Sequence, residues 1–343
     1  MKLFYKCNFL EEDFVEAKKF TVTQAELLAK HKISDKKHSF YKKSVSYNCQ
    51  WKKQSDWSSE KPTIIIPIRD AIELLTKTLN NLIKHNLAKH CNIIIVDDRS
   101  MQDIEQIVLK YGLSYLRVDN DKGFNFSMLN NIAAKICYSL GIKDMVLWNS
   151  DLWCVKEEYF LELLKRHIEG GSALSGTKLI YPPKSESLNK EDDTLNIQQN
   201  FSGYSKKWRE TIQFGGDYWV LTPSSPILMS PIHYGRFRDK EDKRFNCDRG
   251  ATFVTGAMQI WNVQKFIDMG GFNPSLAKNF QDVDIALLLL ESGNSIMYYG
   301  EDIYFYHDES YSLAQDKYDH QMASDHTLFA KIWNSKIASL LFN

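Results

Sequence analysis

The sequence predicts an α/β protein built on a doubly wound, mostly parallel sheet. Between residues 61 and 151, short apolar runs rich in isoleucine alternate with segments of helical periodicity. The runs are bounded by turn residues, as buried parallel strands are. Several runs also end in carboxylates or amides, and sheets of this kind bind ligands at the carboxyl ends of their strands.

Two strand–helix units begin this pattern. Residues 62–67 form a β-branched run bounded by prolines, and residues 70–85 carry apolar side chains three and four apart, which predicts a helix. Residues 92–98 predict a second buried strand that ends in Asp97 and Asp98. A second helix is predicted over residues 100–111.

The next units follow the same alternation. Strands are predicted over residues 113–118 and 145–148, with a helix over 128–140 between them. The second of these strands stops at Asn149 and is followed closely by Asp151. A further helix is predicted over residues 155–167.

The flanking segments are less regular. Residues 1–60 are polar and predict an N-terminal extension with one amphipathic helix over 23–31 and no clean strand. Residues 181–248 are rich in Pro, Ser, Asn and charged residues with interspersed aromatic residues. This segment is too long for a plain loop, so it predicts an insertion with some structure of its own.

Regular patterning returns after the insertion. Helices are predicted over residues 263–269 and 283–292. Two short strands, over 295–299 and 303–306, lead to His307. Residues 311–343 predict a helical tail.

Composition excludes several classes of function. Lys plus Arg and Asp plus Glu are both 43, so the chain has no net charge that would favour nucleic acid or an anionic membrane. No run of about 18 apolar residues is present, and acidic residues near the N-terminus are unlike a signal peptide. The six cysteines show no zinc spacing. We expect a cytoplasmic protein with reduced thiols and at most peripheral membrane contact; no oligomeric state is predicted.

Each candidate site residue has an ordinary structural explanation when it is taken alone. Asp97 and Asp98 suit the start of a turn, and Asp151 suits the cap of the following helix. Asp282 and Asp284 lie in the first turn of a predicted helix, where the macrodipole favours negative charge. Their shared position is more informative, because a single open sheet would bring these strand ends and helix starts to one rim.

The order of the motifs resembles that of family 2 glycosyltransferases, especially bacterial rhamnosyl- and galactosyltransferase-like members. The resemblance covers about residues 61–310. Residues 126–131, together with residues 270–284, are also similar to the related galactosyltransferase and chondroitin-synthase group. The motifs are IIIPIRD (64–70), VDDRS (96–100), KGFNFSMLNN (122–131), LWNSD (147–151), GGFN (270–273), QDVD (281–284) and His307.

The resemblance implies a GT-A fold and an inverting transfer of a sugar from a nucleotide-diphosphate sugar to a saccharide or glycoconjugate. It implies that Asp151 and His307 bind Mn²⁺ or Mg²⁺, and an imidazole ligand favours Mn²⁺. The metal would neutralise the charge of the departing diphosphate. Asn149 stands where many relatives have Asp and would contact phosphate or ribose.

The resemblance also implies a pocket for the nucleotide. Asp97 or Asp98 matches the carboxylate that contacts the base, and Pro67 and Arg69 end the strand that forms the other wall. Two residues of the 122–131 motif complete the implied donor-binding set, Gly123 and Asn130.

Proton removal from the acceptor requires a carboxylate base. The resemblance assigns this role to Asp282, with Asp284 as the second candidate. Gln281 occupies the place of the usual Glu, which keeps hydrogen-bonding capacity without the charge.

The sequence bears on three other classes of protein. A nucleotidyltransferase needs a glycine-rich loop after the first strand, and residues 67–71 contain no glycine. A dinucleotide-dependent oxidoreductase needs a GxGxxG motif, which is absent. A non-catalytic nucleotide-sugar or glycan-binding protein stays open, because Gln281 and Asn149 depart from the usual carboxylates.

Overall fold

The computed structural model describes residues 18–23, 46–121, 123–188, 207–223, 225–309 and 320–342. Its strands are β1 (Lys18–Thr23), β2 (Ser46–Lys52), β3 (Thr63–Ile68), β4 (Asn92–Asp97), β5 (Ser114–Asp119), β6 (Asp144–Trp148), β7 (Leu152–Trp153), β8 (Leu174–Ile180), β9 (Ile212–Phe214), β10 (Asp217–Leu221), β11 (Met229–His233), β12 (Asp248–Gly250), β13 (Met258–Asn262) and β14 (Ile296–His307). Its helices are α1 (Ile72–Lys84), α2 (Leu87–His90), α3 (Ile104–Lys110), α4 (Phe126–Ser139), α5 (Glu157–Gly170), α6 (Val263–Met269), α7 (Gln281–Glu291), α8 (His320–Trp333) and α9 (Ile337–Phe342).

One large sheet organises the protein, in the order β1-β2-β5-β4-β3-β6-β13-β8-β14-β12. Strands β5, β4, β3 and β6 are parallel neighbours, and β13 runs against β6 and β8. Strand β14 is parallel to β8. The carboxyl ends of β3, β4, β5, β6, β8 and β14 therefore share one rim with the start of β13, and the predicted α/β fold is confirmed.

The core of this sheet explains its apolar sequence runs. Every residue of β3 and β4 is buried, because helices cover both faces of a doubly wound sheet. Helix α1 begins within two residues of the predicted position and buries Leu74, Leu75, Leu79 and Leu82. Isoleucine-rich strands at the centre of the sheet therefore leave only their ends available to a ligand.

Two sequence predictions are wrong. Residues 1–60 were expected to hold no clean strand, yet β1 pairs with β2, and β2 pairs antiparallel with β5 at the edge of the large sheet. Side chains of β2 alternate between buried and more exposed positions, and that weak period was missed among polar residues. The strands expected over 295–299 and 303–306 form one strand, β14, with a register shift between Tyr299 and Tyr304.

Some predictions concern segments that the structure describes only in part. The helix expected over residues 23–31 lies outside the described residues, apart from Thr23 in β1. The helical tail is described from residue 320 onward as α8 and α9. Strands β9 to β11 give the 181–248 segment regular structure.

No helix in the described ranges combines the length and apolar character needed to cross a bilayer. Cys91, Cys137, Cys154 and Cys247 are free thiols.

Candidate active site

Asp151 and His307 meet at the rim of the sheet. The chain turns after β6 and forms β7, which pairs antiparallel with the end of β14 so that Leu152 lies opposite His307. The amide of Asp308 donates to the backbone oxygen of Asp151 at 2.9 Å. This pairing places Oδ1 of Asp151 3.3 Å from Nε2 of His307.

The two side chains form a buried, polar corner, each only 6% exposed. Burial disfavours the charged imidazolium, but the carboxylate of Asp151, with Glu309 and Asp308 nearby, outweighs it and raises the pKa of His307. Nδ1 of His307 has no hydrogen-bond partner among the described residues.

This corner fits a divalent cation that also binds a substrate. Neighbouring ligands of one small cation are about 3 Å apart when each lies about 2.1 Å from the ion, and the measured separation is 3.3 Å. Within the described ranges, no group of three or more His, Cys, Asp and Glu side chains could hold a metal. Asp151 and His307 could therefore supply two ligands of an ion whose other ligands come from outside these side chains, as many Mg²⁺ sites do.

A short segment before β13 connects this corner to Asp282. The amide of Asn149 donates to the backbone oxygen of Ala257 at 3.0 Å. The amide of the preceding residue, Gly256, donates to Oδ2 of Asp282 at 2.7 Å. Asn149 and Asp282 are thus attached to adjacent residues of one backbone segment, and the structure brings Asp282 to the same rim as Asp151.

The two candidate bases have different environments. Asp282 is partly exposed, and its carboxylate accepts hydrogen bonds from the backbone amides of Gly256 and Val283. The desolvation of this carboxylate raises its pKa, and the two hydrogen bonds oppose the rise. Asp284 is 2% exposed and accepts the indole N–H of Trp333 at 2.8 Å, and burial raises its pKa to about 6. Of these two carboxylates, Asp282 is the more exposed.

The predicted carboxylate pair at the end of β4 divides into two roles. Asp97 is fully buried and accepts hydrogen bonds from the amide of Ser100 (2.8 Å), the hydroxyl of Tyr115 (2.5 Å) and the guanidinium of Arg117 (3.0 Å). These partners occupy both carboxylate oxygens. Asp97 therefore holds the loop after β4 in place.

Asp98 keeps one oxygen without a hydrogen-bond partner in the described part of the chain. Its Oδ2 accepts a hydrogen bond from the guanidinium of Arg69 at 3.3 Å. Its Oδ1 accepts no hydrogen bond from the described residues. Burial raises the pKa of Asp98 to about 6, against the opposing effects of Asn120 and Arg69. The side chain of Asn120 also donates to the backbone oxygen of Gly123 at 2.5 Å. Asp98, Arg69 and Gly123 thus lie in one cluster beside Pro67 at the end of β3.

The rest of the 122–131 motif binds another part of the chain. The amide of Phe126 donates to the oxygen of Ala277, and Asn131 forms two hydrogen bonds with the backbone of Phe272. Asn130 is fully buried, and its amide donates to Phe126 within the same helix, so the structure does not bring this side chain to the rim. Lys122 lies outside the described residues.

Two parts of this arrangement were missed in the sequence. Asn120 follows β5 at the same rim, so the rule that selected Asp97 and Asp98 would also have selected it. The role of Gly256 and Ala257 is carried by backbone atoms and leaves no side-chain signal.

Comparisons with known proteins identify one matching family and one curated relative. Residues 63–223, a little under half of the chain, match the family described as Glycosyl transferase family 2. A curated relative from Sinorhizobium fredii (strain NBRC 101917 / NGR234), named Uncharacterized protein y4gI, is 25% identical over 236 residues; the match covers 67% of this chain and 23% of that protein.

Two solved structures match part of this chain. The structure of GalNAc-T7 with UDP, GalNAc and Mn²⁺ matches with a TM-score of 0.50 and 12% identity, over 72% of this chain and 43% of that one. The structure of S. aureus TarS 1-349 in complex with UDP-GlcNAc matches with a TM-score of 0.46 and 16% identity, over 77% of this chain and 61% of that one. At 12% identity, the similarity to GalNAc-T7 concerns the fold alone. The chain has an α/β fold of the GT-A type, and residues 63–223 of it resemble family 2 glycosyltransferases.

Proposed function

We propose that this protein is a metal-dependent, inverting glycosyltransferase that moves a sugar from a nucleotide-diphosphate sugar to a hydroxyl of a glycan or glycoconjugate. The observation that carries the proposal is the contact of Asp151 with His307 beside the segment that holds Asp282. Direct displacement needs charge stabilisation at the leaving diphosphate and a base near the acceptor. The rim supplies candidates for both.

Asp151 and His307 would hold Mn²⁺ or Mg²⁺ through an oxygen and a nitrogen. When bound, the ion supplies positive charge against the leaving diphosphate. The imidazole ligand favours Mn²⁺ over Mg²⁺. Asn149, whose backbone is fixed to Ala257, is near enough in the chain to contact the phosphate or the ribose.

Asp282 would accept the proton of the acceptor hydroxyl as its oxygen forms a bond to the anomeric carbon. The bond from that carbon to the diphosphate oxygen breaks on the opposite face, so the configuration inverts. Each oxygen of Asp282 accepts one backbone amide, and a carboxylate oxygen has a second lone pair for a proton. Burial raises its pKa, which strengthens it as a base near neutral pH.

The nucleotide would lie in the cluster formed by Asp98, Arg69 and Asn120. Oδ1 of Asp98 can accept a hydrogen bond from a base, and Arg69 can meet a phosphate. A hexosyl donor of the rhamnosyl- or galactosyltransferase type, a role in polysaccharide biosynthesis and a cytoplasmic location remain predictions from the sequence.

Release of nucleotide from a donor panel tests the proposal. The panel is UDP-glucose, UDP-galactose, UDP-N-acetylglucosamine, UDP-N-acetylgalactosamine, GDP-mannose and dTDP-rhamnose, each with Mn²⁺. We expect release from at least one donor, and loss of release in Asp151→Asn and Asp282→Asn. Asp103→Asn is the matched control, because Asp103 is exposed and caps α3, and Asn caps helices equally well. Nucleotide binding without turnover on any donor would favour the non-catalytic binding protein.

A further inference from the structure

Helix α8 presents one buried face to the segment that leads into Asp282. Asp325, Phe329 and Trp333 are four residues apart, and side chains at this spacing lie on the same face of a helix. All three are fully buried. Their contacts fall on residues 278–280, which precede Asp282, and on Asp284, which follows it.

The first contact fixes the backbone before α7. Oδ2 of Asp325 accepts the amides of Lys278 and Asn279, each at 3.0 Å. Hydrogen bonds from two successive amides to one carboxylate oxygen fix the direction of the chain at this point.

The second contact holds a residue in a disfavoured conformation. Phe280 precedes the first turn of α7 with a φ of 61°, in the left-handed region that bulky residues rarely adopt. The ring of Phe329 stacks on Phe280 with centroids 4.7 Å apart, and His326 meets it edge-on at 4.6 Å. Such a conformation persists only where surrounding contacts impose it.

The third contact lies on the other side of Asp282. The indole N–H of Trp333 donates to Oδ1 of Asp284 at 2.8 Å. Asp284 is buried beneath α8, so this bond attaches the first turn of α7 to the helix. Asp282 therefore lies between two points that α8 fixes, Phe280 and Asp284.

We propose that Asp325, Phe329 and Trp333 are positioning residues that set the direction of the Asp282 carboxylate towards the acceptor. This inference rests on the proposed role of Asp282 as the base. A base displaced by about 1 Å can cost a reaction about 100-fold. Binding of the donor through Asp98, Asp151 and His307 involves other elements and should be unaffected.

The test compares two variants of the buried face with a control on the opposite side. Phe329→Leu removes the ring that stacks on Phe280, and Trp333→Phe removes the N–H and keeps an aromatic ring. Lys331→Ala, at an exposed position of the same helix, is the control. The full chain is assayed with Mn²⁺ and whichever donor of the panel the wild type turns over.

We expect kcat to fall at least roughly tenfold in both variants of the buried face. The KM for the donor and the Kd for UDP with Mn²⁺ should stay within about twofold of the wild type, because the contacts that bind the donor in the ground state are unchanged. Lys331→Ala should keep the wild-type kcat, KM for the donor and Kd for UDP. Should Phe329→Leu fail to fold, the milder Trp333→Phe still gives the kcat and KM comparison.

Two results would overturn the inference alone. One is a wild-type kcat in both variants; the other is a loss of UDP affinity that matches the loss of kcat, which would mean that α8 supports the fold as a whole. A wild-type chain that releases no nucleotide from any donor overturns the proposed function and this inference together, so the two failures are distinguishable.

Discussion

Oδ1 of Asp151 lies 3.3 Å from Nε2 of His307, because β7 pairs with the end of β14. The two residues come from opposite halves of the sequence, and neither belongs to a local motif that contains the other. A strand of two residues, Leu152–Trp153, is enough to join them. The candidate metal site therefore depends on backbone pairing as much as on its side chains.

Chelation should abolish nucleotide release, and Mn²⁺ should restore it more fully than Mg²⁺. The reason is the imidazole of His307, which Mn²⁺ accepts more readily than Mg²⁺ does. In His307→Asn the preference for Mn²⁺ should narrow, because an amide oxygen replaces the nitrogen. Initial rates measured against the concentration of each metal provide the check.

His90→Asn is the matched control for this series, since His90 pairs with Glu157 at a partly exposed site and lies on α2. It should keep the metal preference of the wild type. Full activity of the wild type in excess chelator would contradict the role given to Asp151 and His307.

Asp282→Asn should lose turnover and keep donor affinity. A base acts as the acceptor proton is transferred, so its loss lowers kcat by about 10² to 10⁴-fold and leaves ground-state binding intact. Asp284→Asn should lower kcat far less, because an amide oxygen can still accept the N–H of Trp333. Steady-state kinetics and UDP titrations of both variants separate the two roles. Wild-type turnover in Asp282→Asn, with loss in Asp284→Asn, would reverse the assignment of the base.

The sequence predicted those parts of the site that lie at the ends of apolar strands. Residues such as Asp98 and Asp151 follow buried runs, and parallel strands bring such ends together regardless of their separation in the chain. His307 was placed correctly by the same rule, although the strand before it was divided into two. A bulge near Tyr299 interrupts the alternation and explains the division.

The sequence patterns did not predict the tertiary contacts of the site residues. Asp97 and Asp98 are adjacent and identical in type. Only the structure shows that Asp97 has partners at both oxygens, whereas Asp98 has a partner at one oxygen within the described ranges. Similarly, nothing local distinguishes Asp282 from Asp284; their difference comes from Trp333, on another helix. Burial of a carboxylate is decided by its neighbours in space, which periodicity does not reveal.

Asp284 should make the protein's stability depend on pH. Burial raises the pKa of Asp284 to about 6 from an ordinary value of 3.8. Between these values the folded protein keeps a proton that the unfolded chain has released, so this group makes unfolding easier as pH rises. Relative to the wild type, Asp284→Asn should therefore gain up to about 3 kcal/mol in free energy of unfolding between about pH 4 and pH 6.

Urea unfolding of the wild type and Asp284→Asn across this pH range measures that difference. Glu169→Gln, at an exposed position, is the control and should show a difference that does not change with pH. A constant difference for Asp284→Asn would mean that its carboxylate is not buried in solution.

Changing Asp97 to Asn should mainly lower stability, whereas changing Asp98 to Asn should mainly weaken nucleotide binding. Asp97→Asn disturbs a buried carboxylate that accepts from Ser100, Tyr115 and Arg117, so we expect a loss of about 2 to 3 kcal/mol in free energy of unfolding. Asp98→Asn should weaken UDP binding roughly tenfold through the loss of one charge-assisted hydrogen bond, with a much smaller loss of stability. Calorimetric titration with UDP and urea unfolding of both variants provide the comparison. If Asp98→Asn bound UDP as tightly as the wild type, Asp98 would not belong to the nucleotide site, because the proposal requires its Oδ1 to contact the base.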